Sequence, residues 1–160
     1  MSAPTSSVLQ TAAGLLNNAA GLAASLSSYA ALAPLQSAPT ATISYVPEEL
    51  QEQQQKIQYP SCRVYCDKVQ NGAKVKFRSF SGTYQVVYEI THSQDRLDGL
   101  TDTLQATADA VGQVLDNNHG NLGGGVVLQP GYEIETDAVK RGGVHYLQRA
   151  RVTCQLTWER

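Results

Sequence analysis

Alternating apolar and polar residues near the middle of the chain predict a β-strand that leads into a helix. Apolar residues occupy every second position at Tyr84, Val86, Tyr88 and Ile90, and a period of two is typical of a strand with one buried face. The spacing then changes to three and four, giving an apolar stripe of Leu97, Leu100, Leu104, Ala108, Val111 and Leu115. This stripe predicts a long amphipathic helix, with Ser93 as its cap and Asp95 in its first turn.

The same alternation predicts three further strands. Residues 61–69 place Cys62, Val64 and Cys66 on one side, and residues 131–136 form a shorter run. The last run is the longest, and one of its sides carries Val144, Tyr146, Ala150, Val152, Cys154, Leu156 and Trp158. So long an apolar face predicts an antiparallel sheet that is covered on one side. On the opposite side Arg149 and Arg151 are either simply exposed or part of a partner surface.

The connections between these elements carry turn residues and basic side chains. Asn71-Gly72 predicts a tight turn, and Lys74, Lys76 and Arg78 alternate on the strand that follows. They form either the solvent face of a hairpin or a contact with an acidic partner or a phosphate backbone. Residues 117–125 are rich in glycine and predict a flexible loop between helix and strand. Residues 137–143 predict a hairpin connection with Lys140 and Arg141 at its tip.

The first 47 residues contain no Lys, Arg, Asp or Glu. The sequence Ala-Ala-Gly-Leu occurs at 12–15 and again at 19–22, so that Leu15, Leu22 and Tyr29 lie on one line of a helix. We interpret this segment as an Ala-rich helical arm that docks on a neighbouring subunit or partner, with a disordered tail and membrane association as alternatives. The absence of basic residues argues against a secretory signal. The sequence therefore predicts an arm and linker over 1–47 and an α+β domain over 48–160.

Composition narrows the function without naming it. The formal net charge is −2, which gives no general attraction to nucleic acid or to an acidic membrane. The three cysteines are interpreted as reduced, buried side chains of a cytoplasmic protein, since they lack the clustered partners of a zinc site. No catalytic or phosphate-binding motif is present, so the sequence predicts neither an enzyme nor a bound metal or cofactor.

The order of elements resembles the tail terminator and tail-completion proteins of tailed bacteriophages. The resemblance is carried by residues 83–90, Asp95-Arg-Leu, Ala108-Asp-Ala-Val with Val114 and Leu115, and the closing strand from Val144 to Trp158. It covers residues 61–160. It implies an α+β fold in which a small antiparallel sheet is packed by one long amphipathic helix.

The resemblance also implies a structural role in the virion, where the protein is assembled in the host cytoplasm. Such proteins form rings, commonly hexameric, at the neck that joins head and tail, and they contact the tail tube protein, connector proteins and DNA passing through the lumen. Alternatives are a head-completion or connector protein of the same neck, or a non-viral module held to a membrane or partner by its N-terminal segment. The candidate contact residues are Leu15, Leu22, Tyr29, Lys74, Lys76, Arg78, Lys140, Arg141, Arg149 and Arg151.

Overall fold

A computed structural model of the chain describes residues 4–29, 38–51, 56–71 and 81–159. The helices are α1 (Pro4–Asn17), α2 (Leu22–Ser27), α3 (Glu48–Gln51) and α4 (Leu100–Asn117). The strands are β1 (Ala41–Ile43), β2 (Ser61–Gln70), β3 (Ser81–Gln94), β4 (Gly120–Gly123), β5 (Val126–Thr136), β6 (Lys140–Gly142) and β7 (His145–Glu159). Lys74, Lys76 and Arg78, together with the predicted turn at Gly72, lie outside the described residues.

The described strands form one seven-stranded sheet in the order β1-β2-β3-β7-β5-β4, with β6 also paired to β7. Only β1 and β2 run parallel, and the remaining pairs are antiparallel. The centre of the sheet is the long pair β3 and β7, in register from Ser81 opposite Glu159 to Gln94 opposite Tyr146. The prediction of an α+β protein with a mainly antiparallel sheet is thus confirmed.

One face of the sheet supplies the core because its strands alternate as the sequence predicts. Tyr84, Val86, Tyr88 and Ile90 of β3 are buried, and so are Ala150, Val152, Cys154, Leu156 and Trp158 of β7. We call this the inner face. Helix α4 packs against β3, β5 and β7, while α1 packs against β1, β2 and β3. More than one helix therefore covers the sheet, so the expectation of a single packing helix was incomplete.

The N-terminal helices belong to the same hydrophobic cluster as the inner face of the sheet. Polar contacts fix their position: the Tyr88 hydroxyl donates to the Ala12 carbonyl at 3.1 Å, and the Ser25 hydroxyl donates to the Ala110 carbonyl at 3.1 Å. The Asn17 side chain exchanges two hydrogen bonds with the backbone of Ala41, at 2.9 and 2.8 Å. The boundary at residue 47 stays a prediction, whereas the apolar residues of α1 and α2 lie within this chain's own core.

The start of the central helix differs from the sequence prediction. Strand β3 continues to Gln94, so Ser93 lies in a strand and does not cap a helix. Helix α4 begins at Leu100 after Gly99, whose positive φ of 76° turns the chain, and Leu97 is 56% exposed. Pairing with β7 keeps these residues extended, because a strand beside a long partner gains backbone hydrogen bonds at each step. The aspartates Asp102, Asp109 and Asp116 are exposed on α4, away from its apolar stripe.

Two predicted connections are ordered strands. The glycine-rich stretch after α4 forms β4, which pairs with the start of β5 in a tight hairpin, so the prediction of a flexible loop was wrong. Positive φ angles at Gly124 (60°) and Gly125 (81°) make this turn possible. Lys140 and Arg141 lie within β6, and the tip of that hairpin is Gly143 and Val144, the latter 84% exposed.

Candidate functional site: a charged row across the sheet

Side chains of alternating charge form a row across the face of the sheet opposite α1 and α4, which we call the outer face. Strand register places Arg63 of β2 opposite Glu89 of β3, Glu89 opposite Arg151 of β7, and Arg151 opposite Glu135 of β5. Opposite charges directly across neighbouring strands attract one another. The row therefore places complementary charges side by side across four strands, and among its described members Arg63 and Glu89 form an ion pair.

The pair of Arg63 and Glu89 is the most buried part of the row. Arg63 donates from Nε and Nη2 to Oε1 of Glu89, at 2.8 and 2.6 Å, and the two side chains are 10% and 5% exposed. The Tyr65 hydroxyl donates to the other carboxylate oxygen of Glu89 at 3.3 Å, and its ring lies 4.8 Å beneath the Arg63 guanidinium. Burial, more than the neighbouring Glu89, raises the pKa of Tyr65.

A second acid approaches the same arginine from α3. Glu48 Oε2 lies 3.6 Å from Arg63 Nε, and the carboxylate accepts hydrogen bonds from Ser61 at 3.2 Å and Thr91 at 3.3 Å. Arg149 Nε lies 3.9 Å from Glu89 Oε1. Two acids and two arginines thus share a partly dehydrated site, where removal of one partner leaves a charge without compensation.

Asp137, which follows β5, contacts the β7 end of the charged row. Arg151 Nη2 donates to Asp137 Oδ1 at 2.6 Å, and this hydrogen bond is the main reason why the pKa of Arg151 is raised. The Asp137 carbonyl accepts from Gln148 at 2.9 Å, and its backbone N–H donates to the Arg149 carbonyl at 2.9 Å. Asp137 therefore ties the connection between β5 and β6 to β7.

A polar cleft of about 340 Å³ lies beside the buried acids. Glu48 and Arg63 line it, together with hydroxyl and amide side chains from β1, α3 and residues 57–61. Its charged groups already satisfy one another. The charged groups can therefore hold β2 in register with β3, and the hydroxyl and amide groups of the cleft can form hydrogen bonds with side chains of a partner.

The cysteine thiols are held in their protonated form. Burial raises the pKa of Cys62 to about 12, with Glu48 and Glu89 adding to the effect, and burial raises the pKa of Cys154 to about 12. Cys66 is half-buried, and its pKa is raised chiefly by burial. All three are free thiols. A thiolate is the form that attacks or binds metal, so these side chains act as small apolar groups at neutral pH.

The candidate contact residues named from the sequence fall in three places. Leu15 and Leu22 are buried in the chain's own core, and Tyr29 packs half-buried against it. Lys140 and Arg141 are exposed on β6. Arg151 belongs to the charged row and bonds Asp137, and Arg149 lies 3.9 Å from Glu89, so neither is a simply exposed charge on β7.

Sequence reasoning missed Glu48 and Glu89, which are buried at 4% relative exposure. The available signal was that Arg63, Glu89, Arg149 and Arg151 all occupy outward positions of predicted strands. The register that brings them together follows from strand pairing, which the alternation of single strands does not specify.

Comparison with known proteins adds no family to this geometry: no protein-family model and no curated protein matches the sequence. Within the described ranges, no three His, Cys, Asp or Glu side chains converge as a metal site would require. The helices of those ranges include none with the length and apolar character of a membrane span.

Proposed function

We propose that the chain is a structural, non-enzymatic virion protein of a tailed phage that assembles as a ring at the neck. In this proposal it is of the tail terminator type: the ring closes the tail tube and joins it to the head. Residues 48–160 form most of the terminator-like domain with α4 as its principal packing helix, and residues 1–47 add α1, α2 and β1, which pack on it. The tail tube protein and neck connector proteins are its partners, and DNA passes through the lumen without being read in sequence.

The observation that carries the proposal is that the sheet has two unlike end strands. Among the described residues, β1 pairs with no strand other than β2 and β4 with no strand other than β5. The Asn17 side chain already bonds the N–H and C=O of Ala41, so a neighbouring subunit would meet β1 from Ile43 onward. Neither end strand carries a charged residue, although charges are a usual protection of free edges. Contact between one end of a subunit and the other end of the next is heterologous, and such contacts close into rings when the rotation permits.

Exposed apolar side chains at the β1 end support the same conclusion. Ile43, Tyr45, Val46 and Leu50 are all large hydrophobic residues with more than a third of their surface exposed. They lie within eight positions of one another, and clustered exposed hydrophobics mark contact surfaces. A neighbouring subunit at this end would bury them.

The N-terminal segment favours the ring proposal over a module anchored by that segment. Val8 and Leu22 are fully buried against the sheet and α4. Apolar side chains that already fill a core are not free to enter a membrane. The described helices α1 and α2 therefore contribute folding energy, and no observation on them supports anchoring.

Removal of the gene from its phage tests the proposal. The expected result is that heads and tails accumulate separately, with tails of irregular length in electron micrographs. Expression of the wild-type chain should restore joining, whereas a Tyr45→Asp, Leu50→Asp variant should not, because it places charge in the exposed apolar segment. Normal particles in the absence of the gene would contradict the proposal.

A further inference from the structure

We propose that residues 131–142, which we call the β5–β6 edge, pair antiparallel with the same edge of a second copy of this chain. The contact has two-fold symmetry and brings Glu135 of each copy opposite Lys140 of the other. It uses the part of the β5 side of the sheet that β4 leaves uncovered, and it does not depend on the assignment to a phage.

The β5–β6 edge is nearly one continuous strand along β7. Thr136 lies opposite Ala150, the Asp137 N–H donates to the Arg149 carbonyl at 2.9 Å, and Lys140 lies opposite Leu147. Only one extra residue is accommodated between Thr136 and Lys140. Two short strands therefore present a single long row of backbone groups on the side away from β7.

That side of the edge is open in the part of the chain that the structure describes. Strand β4 covers only the first residues of β5, Val126 to Leu128, and no described strand follows beyond the bulge at residues 129–131. Backbone N–H and C=O groups on a free edge can accept another strand through hydrogen bonds alone.

The charges along the edge favour pairing with the same edge of a second copy. Glu133 and Glu135 in the first half and Lys140 and Arg141 in the second half are exposed. None of the four takes part in an ion pair among the described residues. A row of one sign would repel a second copy, whereas acidic and basic halves attract when two copies run in opposite directions.

The register follows from the positions of these charges. A two-fold axis between Asp137 and Ala138 places position 135 opposite position 140 of the other copy. Glu135 pairs across to Arg151 and Lys140 pairs across to Leu147, both on the outer face of β7. Opposed residues in an antiparallel pair share a face, so the two charges meet. The contact is isologous and contains each pair twice. In a ring built through the sheet ends, it joins subunits of two rings.

Charge exchange at the two positions is the sharpest test. The wild-type full chain, Glu135→Lys, Lys140→Glu and the double variant are compared by sedimentation velocity over a wide range of concentration. Each single variant should weaken the two-fold contact by about tenfold or more, because two attractions become two repulsions. The double variant should restore it, since the exchanged charges again face each other.

Restored association in the double variant would distinguish the proposed pairing of Glu135 with Lys140 from a general effect of net charge or of impaired folding. Asp102→Lys, on the exposed side of α4, is the control and should leave the assembly unchanged. Circular dichroism identifies any variant that fails to fold, and the double variant contains both substitutions. Equal masses for all four chains would overturn the inference. A dimer that responds to the exchange but never forms rings would support it while contradicting the proposed neck function.

Discussion

Arg63 of β2 donates two hydrogen bonds to a single oxygen of Glu89 on β3, and this pair lies almost fully out of solvent. Its position is informative because the outer face of a sheet is usually the solvated one. Glu48 from α3 and Arg149 from β7 approach the same pair. The pair therefore links the segment before β2 to the two central strands.

Glu89→Gln should destabilise the chain by about 3–5 kcal/mol, since it leaves the Arg63 guanidinium buried without its main partner. Urea unfolding followed by circular dichroism measures the change in the free energy of unfolding. Glu133→Gln, on β5 at the same outer face of the sheet, is the matched control and should change the free energy of unfolding by less than about 0.5 kcal/mol, because Glu133 is exposed.

A double variant distinguishes removal of the whole ion pair from removal of one partner. Arg63→Met combined with Glu89→Gln should be less destabilising than Glu89→Gln alone, because no buried charge is left over. If the double variant is instead as unstable as the sum of its single variants, the pair is not coupled as the distances indicate.

Leu22→Ala should cost about 2–5 kcal/mol of the free energy of unfolding, as expected for a fully buried leucine. Leu97→Ala should cost less than about 0.5 kcal/mol, because Leu97 is 56% exposed. Thermal unfolding of the two variants compares how much Leu22 of the N-terminal segment and Leu97 of the predicted helix stripe each contribute to stability. Equal effects would mean that α2 does not pack as described.

Two helical glycines should respond differently to alanine. Gly14 of α1 has open space where a Cβ would stand, so Gly14→Ala should stabilise the chain by about 0.5–1 kcal/mol. A Cβ on Gly112 of α4 would lie 2.5 Å from Cζ of Tyr132. Gly112→Ala should therefore displace the end of the Tyr132 ring, which is 38% exposed, and this displacement should offset the gain in helix propensity of about 1 kcal/mol.

Tyr132→Ala provides the control for the second glycine. In that background the added methyl group meets no ring, so Gly112→Ala should no longer carry the cost of displacing it. Denaturant midpoints of the four chains give the coupling between the two sites. A coupling of zero would exclude the close approach of β5 to α4.

Stability should fall as the pH rises above about 9. The pKa of Cys62 and of Cys154 is raised to about 12 from an ordinary value of 9.0. A raised pKa in the folded state gives stability that is complete below the unfolded pKa and is lost between that value and the folded one. Each thiol contributes a slope of up to about 1.4 kcal/mol per pH unit in this range.

The contribution of the two cysteines to this pH dependence is measured from the slope of the free energy of unfolding against pH. The slope is used because substitution of a cysteine also changes the packing and so shifts the free energy at every pH. Urea unfolding of the wild type and of the Cys62→Ala, Cys154→Ala variant between pH 9 and 10 gives both slopes. The variant should lose less stability over that interval, before tyrosine ionisation dominates. Identical slopes would show that the thiols ionise equally in both states.

The alternation of single strands was sufficient to predict β2, β3 and β7 and the inner face of the sheet. Tyr88 and Val152 are buried where a period of two placed them. Strand ends were not predictable in this way, because Ser93 has the sequence of a helix cap but lies in β3, where pairing with Leu147 extends the strand. Tertiary pairing outweighed the local preference.

The charged row depends on contacts between residues far apart in sequence. Arg63 and Glu89 are 26 positions apart, and Arg151 joins them only through the register of β3 with β7. A one-residue shift would turn Glu89 to the other face. Each outward charge was visible in the sequence, but their convergence needed the structure.

The state of assembly of the purified full chain tests the proposed neck function most directly. Native mass spectrometry gives the number of copies, and negative-stain electron microscopy shows whether the particle is closed around a lumen. The proposal predicts a closed ring, hexameric as the resemblance implies, that is lost when Tyr45 and Leu50 are both replaced by aspartate. A monomer at every concentration, unchanged by these substitutions, would contradict it.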